Sequence, residues 1–201
     1  MKNLHDVWSA RFVHYITEVQ KYLRYVFTGH IAIVFVFIIG AGGYQYSEWL
    51  KVAPSSFPAE WLVAIMLGLI VAFSRPTTLL REPDQVYLLP LESKMSLYFN
   101  KALRWTFWSQ ILVVVIPYII SIPLLKTVTT LSVGEIWTGL GFAIILKFIN
   151  VQLEFFYRYS ARGARVWMDR LWRTIASVLT MFFALTASPL ISIIGIAILL
   201  F

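Results

Sequence analysis

The chain has 201 residues, 59% of them hydrophobic and only 13% charged, with a mean hydropathy of +0.75. Soluble chains run nearer 45–50% apolar and about 25% charged, and a soluble domain of this size buries only about 70% of the surface its unfolded chain exposes. A soluble fold is therefore excluded, and the composition is that of an all-α, polytopic membrane protein. The 17 Lys+Arg against 10 Asp+Glu, a formal net charge of +7, have the sign of a nucleic-acid binder, but their placement fits membrane topology and no nucleic-acid partner is expected. With Cys at 0, disulfides, thiolate metal sites and a cysteine nucleophile are absent.

Residues 1–25 form the first predicted element. Leu4, Val7, Trp8, Phe12, Tyr15, Ile16, Val19, Tyr22 and Leu23 recur at three- and four-residue steps, while Lys2, Asp6, Arg11, Glu18, Lys21 and Arg24 fill much of the rest. That pattern predicts a helix with one apolar, aromatic face, too polar to span and suited to the membrane interface. The alternative is a soluble docking helix.

Residues 26–201 read as a transmembrane domain of about five to six helices. The first span, 27–46, is uncharged if His30 is neutral, and it contains Gly40, Gly42 and Gly43, which allow a neighbouring helix to approach closely. The second, 59–74, is bounded by Glu60-Trp61 and Arg75-Pro76 and is shorter than the roughly 20 residues that hydrocarbon requires. Residues 75–104 form the longest polar connection. Spans 105–125, containing Pro117 and Pro123, and 135–156 follow, and 157–173 reads as a strongly basic loop. Residues 174–201 lack any charge and are interrupted at Ser188-Pro189, which predicts two short helices, 174–187 and 189–201. The last ends within an apolar run, as expected of a fragment of a longer protein.

Of the 17 Lys and Arg residues, all but Lys51 and Lys126 fall in the amino-terminal segment, in 75–104, or between Lys147 and Arg173. Basic residues at span ends mark the cytoplasmic side. The amino terminus and the 75–104 and 157–173 segments are therefore expected to be cytoplasmic.

Catalytic signatures are missing. No GxxxxGK[ST] phosphate loop, HExxH or GxSxG occurs, so a self-contained enzyme, a metal centre and a cofactor are not expected. His14 and Glu18 are spaced i,i+4, which could place two ligands on one helix face. Without a third ligand they read as a surface pair. Lys147, Asn150 and Glu154 share one face of the fourth span. Intramembrane ionisable groups usually point inward, which makes the three candidates for lining a cavity. The alternative has Lys147 snorkelling and Glu154 reaching water at the cytoplasmic end.

The most specific feature is EPDQVYLLPLE, residues 82–92. It sets the apolar cluster Val86, Tyr87, Leu88, Leu89 and Leu91 between acidic residues and prolines. An exposed apolar group with a charged rim marks a docking surface; the other reading packs these leucines back under the bundle. Glu82-Pro83-Asp84-Gln85-Val86-Tyr87-Leu88-Leu89-Pro90 resembles the EAD-x-x-F-L-L-P signature between the second and third spans of Ecs-type ABC transporter permeases, the EcsB family. The amino-terminal pattern LHDVWSARF…KYLRYVFTGH and the glycines of the first span are similar as well. Pro83 stands where the family has Ala, and Tyr87 where it has Phe. The resemblance runs over essentially the whole chain, and family members continue considerably further.

The resemblance implies a multi-pass subunit of the bacterial cell membrane, its amino terminus cytoplasmic, that pairs with a separate ABC ATP-binding subunit of the EcsA type. ATP hydrolysis would belong to that partner. The coupling loop, 75–104, would meet it through Glu82, Asp84, Tyr87, Leu88, Leu89, Pro90 and Glu92, with the acidic residues as a polar rim. Export of peptidic or amphipathic cargo is the implied activity. The alternative is a membrane scaffold that regulates secretion or an intramembrane protease without transporting anything.

Overall fold

The computed structural model describes residues 4–27, 29–81, 83–160, 164–186 and 189–200. All regular structure among them is helical: α1 (Leu4–Val26), α2 (His30–Val52), α3 (Ala59–Ala72), α4 (Asp84–Tyr87), a tighter helical turn at Leu89–Lys94, α5 (Met95–Val128), α6 (Val133–Ser160), α7 (Ala164–Leu185) and α8 (Pro189–Leu200). Helices α2 and α5 and the Val133–Tyr157 part of α6 are long and apolar enough to cross a membrane, and α3 is a shorter apolar helix.

The helices overrun the apolar stretches that announce them. α2 continues to Val52 because nothing between Tyr46 and Lys51 breaks a helix before Pro54. α5 starts at Met95, ten residues ahead of the expected span, inside the segment read as a polar connection. Its 34 residues make about 51 Å of helix, well beyond the ~30 Å of a hydrocarbon core. The basic stretch 157–173 is likewise not one loop: Tyr157–Ser160 end α6 and Ala164–Arg173 begin α7. Charge marks where a chain leaves hydrocarbon, while Lys, Arg, Leu and Met are good helix formers on either side of that border.

Two compact units emerge, one of Met1–Val52 with Thr78–Ala102, the other of Ala53–Thr77 with Leu103–Phe201. In the first, Trp8 is buried edge-on against Tyr98, with ring centroids 5.1 Å apart, and also stacks with Phe12 at 6.0 Å. None of the α2 residues is buried.

In the second unit α3 packs most extensively on α7 and also meets α6, while α8 covers α7. The buried face of α3 repeats in two adjoining rows, Ala59, Val63, Leu67, Val71 and Ala64, Gly68, Ala72. The four-residue steps place each row on one side of the helix, and the small members let backbones approach. A Cβ built on Gly68 would lie 2.7 Å from Val178 Cα and 2.8 Å from its amide nitrogen, so only glycine fits this crossing. Two turns earlier, Trp61 stacks on Phe182 with ring centroids 3.9 Å apart. Beyond Ala72 the chain is tied to α5, as Thr77 N–H donates to Thr106 Oγ1 at 2.9 Å and Gln110 Nε2 donates to the Arg75 carbonyl at 2.9 Å. The Tyr118 hydroxyl of α5 donates to the Ile136 carbonyl of α6 at 2.5 Å.

Gly68→Ala should therefore destabilise the protein by about 1–3 kcal/mol, the usual cost of overpacking a tight core. Gly40→Ala, inside α2 with nothing within 4 Å of its added Cβ, should be neutral or stabilise by up to about 1 kcal/mol, because alanine is the better helix former. Thermal unfolding of both variants in detergent checks the contrast; equal midpoints would contradict the close α3–α7 crossing.

Candidate functional site

Within the EPDQVYLLPLE segment, Asp84–Tyr87 form one turn of α-helix, α4, and a tighter turn follows from Leu89. Pro83 sits at the N-cap of α4 with φ −62° and ψ −20°, a conformation its ring favours, so proline suits the start of this helix. α4 closes with the Leu88 N–H donating to the Asp84 carbonyl at 2.9 Å. A single turn has little stability of its own, and here it is held from outside.

The holding group is Arg11 of α1. Its Nη2 donates to Asp84 Oδ1 at 2.6 Å and its Nη1 to Asp84 Oδ2 at 2.7 Å, a two-point fork. Nη1 also reaches the Leu79 carbonyl at 3.3 Å and the Tyr98 hydroxyl at 3.4 Å. The Tyr98 hydroxyl in turn donates to the Thr78 carbonyl at 2.9 Å, and the Arg81 N–H donates to Asp84 Oδ2 at 2.7 Å. Between these ties Leu79 has a φ of 54°, the one positive value of a non-glycine among the described residues. For an L-residue the left-handed conformation costs about 1–2 kcal/mol, and the bonds on both sides hold it there. The hydrogen bond from Arg11 is the main reason that the Asp84 carboxyl lies below its usual range, opposed by burial and helped by the Arg81 amide. The hydrogen bond to Asp84 likewise raises the pKa of Arg11.

With its base fixed in this way, α4 presents Val86 and Tyr87 almost bare, at 74% and 78% exposure. Leu88 is half-buried and Pro90 exposed. Asp84, expected on a polar rim, instead has both oxygens bonded to Arg11. Glu82 lies outside the described residues, as do the side chains of Leu89 and Glu92. His14 and Glu18 form the surface pair that their spacing suggested, with Nε2 and Oε1 3.2 Å apart.

The second group of expected residues is buried in the other unit. Glu154 of α6 accepts from Arg170 Nη2 at 2.5 Å and from Arg173 Nη2 at 2.6 Å, both on α7. Arg173 is 2% exposed and is also bonded through Nε to Asp169 Oδ2 at 2.7 Å. Asn150 donates to the Ser177 hydroxyl at 3.2 Å and accepts from Arg173 Nη1 at 3.4 Å. Lys147 does not snorkel outward. Its ammonium donates to the carbonyls of Ile70 at 3.1 Å and Phe73 at 3.3 Å, at the carboxyl end of α3. A cation is favourable at that end of a helix, where carbonyls lack intrahelical partners.

Lys147, Asn150 and Glu154, proposed to line a cavity, are all buried, with Lys147 bonded at the end of α3 and Asn150 and Glu154 bonded to α7. Sequence reasoning missed Arg170, Arg173 and Ser177, although a lone carboxylate in an apolar span asks for a cation, and the basic stretch beside it contained five arginines. It also missed Arg11 and Tyr98, which no local pattern connects to a carboxylate 73 residues away from Arg11.

Fold and site together define an α-helical multi-pass membrane protein with a short helix presented on an ion-paired base. The model of the EcsB family, described as bacterial ABC transporter protein EcsB, matches residues 5–201. The chain belongs to that family. Protein EcsB of Bacillus subtilis (strain 168) is 30% identical over 187 residues, an alignment covering 91% of this chain and 45% of that protein. The chain thus spans less than half the length of this curated relative. No solved structure matches it.

Two measurements check the site. Arg173→Ala should cost about 3–5 kcal/mol, because a buried carboxylate that loses a partner is far dearer than an absent pair. Denaturant titration in detergent reads it, and a cost below about 1 kcal/mol would mean that the cluster is hydrated. The Arg11–Asp84 pair should depend on pH in the sense set by a depressed carboxyl. Its contribution is complete above the ordinary value of 3.8 and is lost as pH falls through the lowered value. Hydrogen exchange of peptides covering 78–88 should therefore show protection that is level from about pH 5 to 8 and lost in stronger acid. Asp84→Asn should lack that protection across the whole range, and identical profiles for the two proteins would show that the pair contributes nothing.

Proposed function

We propose that this chain is the membrane-embedded, permease part of a bacterial ABC transporter, and that a separate ATP-binding subunit of the EcsA type docks on residues 84–92. In this reading the amino terminus, 75–104 and 157–173 face the cytoplasm, in keeping with the distribution of the 17 Lys and Arg residues. The observation that supports docking is the exposure of Val86 and Tyr87 on a helix fixed at its base by Arg11. Exposed aromatic and aliphatic side chains on a rigid support are the kind of anchor that a partner's pocket can bury. Membership of an ABC transporter family and the missing phosphate loop both agree with nucleotide chemistry in another subunit. In this scheme α1 lies in the membrane interface with Val13, Tyr22, Leu23 and Val26, all exposed on the protein, in contact with lipid.

The activity is then ATP-driven export of peptidic or amphipathic cargo. A scaffold that regulates secretion or intramembrane proteolysis would bind partners without needing ATP turnover, so measuring turnover in the assembled complex separates the two.

Val86→Ala combined with Tyr87→Ala should reduce copurification of the ATP-binding subunit by about thirtyfold, the loss expected when a hot spot worth roughly 2 kcal/mol is truncated. Both side chains are exposed, so the amount of protein in the membrane should stay the same. Glu92→Gln should have a much smaller effect. Undiminished copurification with the double variant would sink the docking assignment.

A further inference from the structure

Arg11 joins three pieces of chain that are distant in sequence. It belongs to α1, it grips Asp84 at the first turn of α4 and the Leu79 carbonyl just before it, and it touches Tyr98 in the first turn of α5. Tyr98 closes the ring of contacts by donating to Thr78 and packing edge-on against Trp8 of α1. α4 has no side-chain hydrogen bond at its N-cap and consists of four residues, so its direction is set by these outside ties. The Arg11–Asp84 fork fixes two points at once, which a single point charge cannot do. Leu79, held in a left-handed conformation between the Tyr98 and Arg11 bonds, is a second sign that the surroundings dictate the path of this segment.

From this geometry we propose that Arg11 is a positioning residue for energy coupling. By holding Asp84 it makes α1, α4 and the start of α5 one rigid piece, so that displacement of α4 by a docked ATP-binding subunit is passed into α1 and α5. This inference rests on the reading of α4 as the docking helix. It goes further in assigning transmission to a residue outside the docking surface, on a helix remote in sequence. Without the pair, the subunit still finds Val86 and Tyr87 but pushes against a loose turn.

The test uses the chain copurified with its EcsA-type subunit and reconstituted in lipid. Arg11→Ala should keep the subunit and the KM for ATP while lowering kcat per complex by about tenfold, since misdirection of a remote support costs rate rather than nucleotide binding. Arg11→Lys should fall between, because it keeps the charge and loses the fork. Arg11→Asp and Asp84→Arg should each be impaired, and their combination should recover at least half of the wild-type kcat. A pair that served only to stabilise the fold would lower the amount of inserted protein and leave kcat per complex unchanged, which would overturn the proposal. Release of the subunit by Arg11→Ala would assign the residue to binding and overturn it too, as would a charge-swapped protein that inserts normally yet stays slow. The docking reading fails separately, through retention of the subunit by the Val86→Ala, Tyr87→Ala protein.

Discussion

Much of the second unit depends on one carboxylate. Glu154 is 3% exposed, and two guanidinium groups of α7 meet its two oxygens at 2.5 and 2.6 Å. An ionised carboxylate left alone in hydrocarbon is untenable, so α6 and α7 must lie side by side in the register that brings Arg170 and Arg173 to it. The same face of α6 contributes Asn150 to Ser177 one turn above and Lys147 to the end of α3 one turn above that. α3 has only 14 residues and ends at Ala72. The carbonyls at its end lack intrahelical partners, and Lys147 donates to two there, those of Ile70 and of the capping Phe73. A single helical face thus ties α6 to both α3 and α7, and the small residues of α3 then set how closely the backbones can pack.

The first unit uses the same chemistry for a different end. There the guanidinium–carboxylate fork joins α1 to a single helical turn, and it shapes a short helix that leaves Val86 and Tyr87 exposed. One pair is buried and registers spans; the other is partly open and aims a surface.

Legibility in the sequence followed the range of each interaction. Apolar length and three- to four-residue periodicity marked the helices, because burial in lipid acts on every residue of a span. Boundaries were misread at Met95 and Ala164, where charged residues were taken to end or delay a helix, although nothing in their chemistry stops one. The face shared by Lys147, Asn150 and Glu154 was readable from spacing alone. Its partners on α7 were not, since pairing between helices depends on how the chain folds back. The EPDQVYLLPLE segment could be recognised as text, yet the text does not say that Asp84 turns inward to Arg11 and leaves Val86 and Tyr87 outermost.

The Glu154 cluster also bears on how such a chain is made. α2 has no charge before Glu48 and buries none of its residues, so it can enter a bilayer on its own hydrophobicity. α7 cannot do so as readily, because its first ten residues include Asp169, Arg170 and Arg173. Arg173 is costly to bury without Glu154 beside it, and Glu154 is equally costly to bury without its two guanidinium partners. The charges of either helix are therefore satisfied only with the other in place, and α6 and α7 form their contact as a unit. The pair that registers the finished bundle thus also makes the burial of one helix conditional on that of the other.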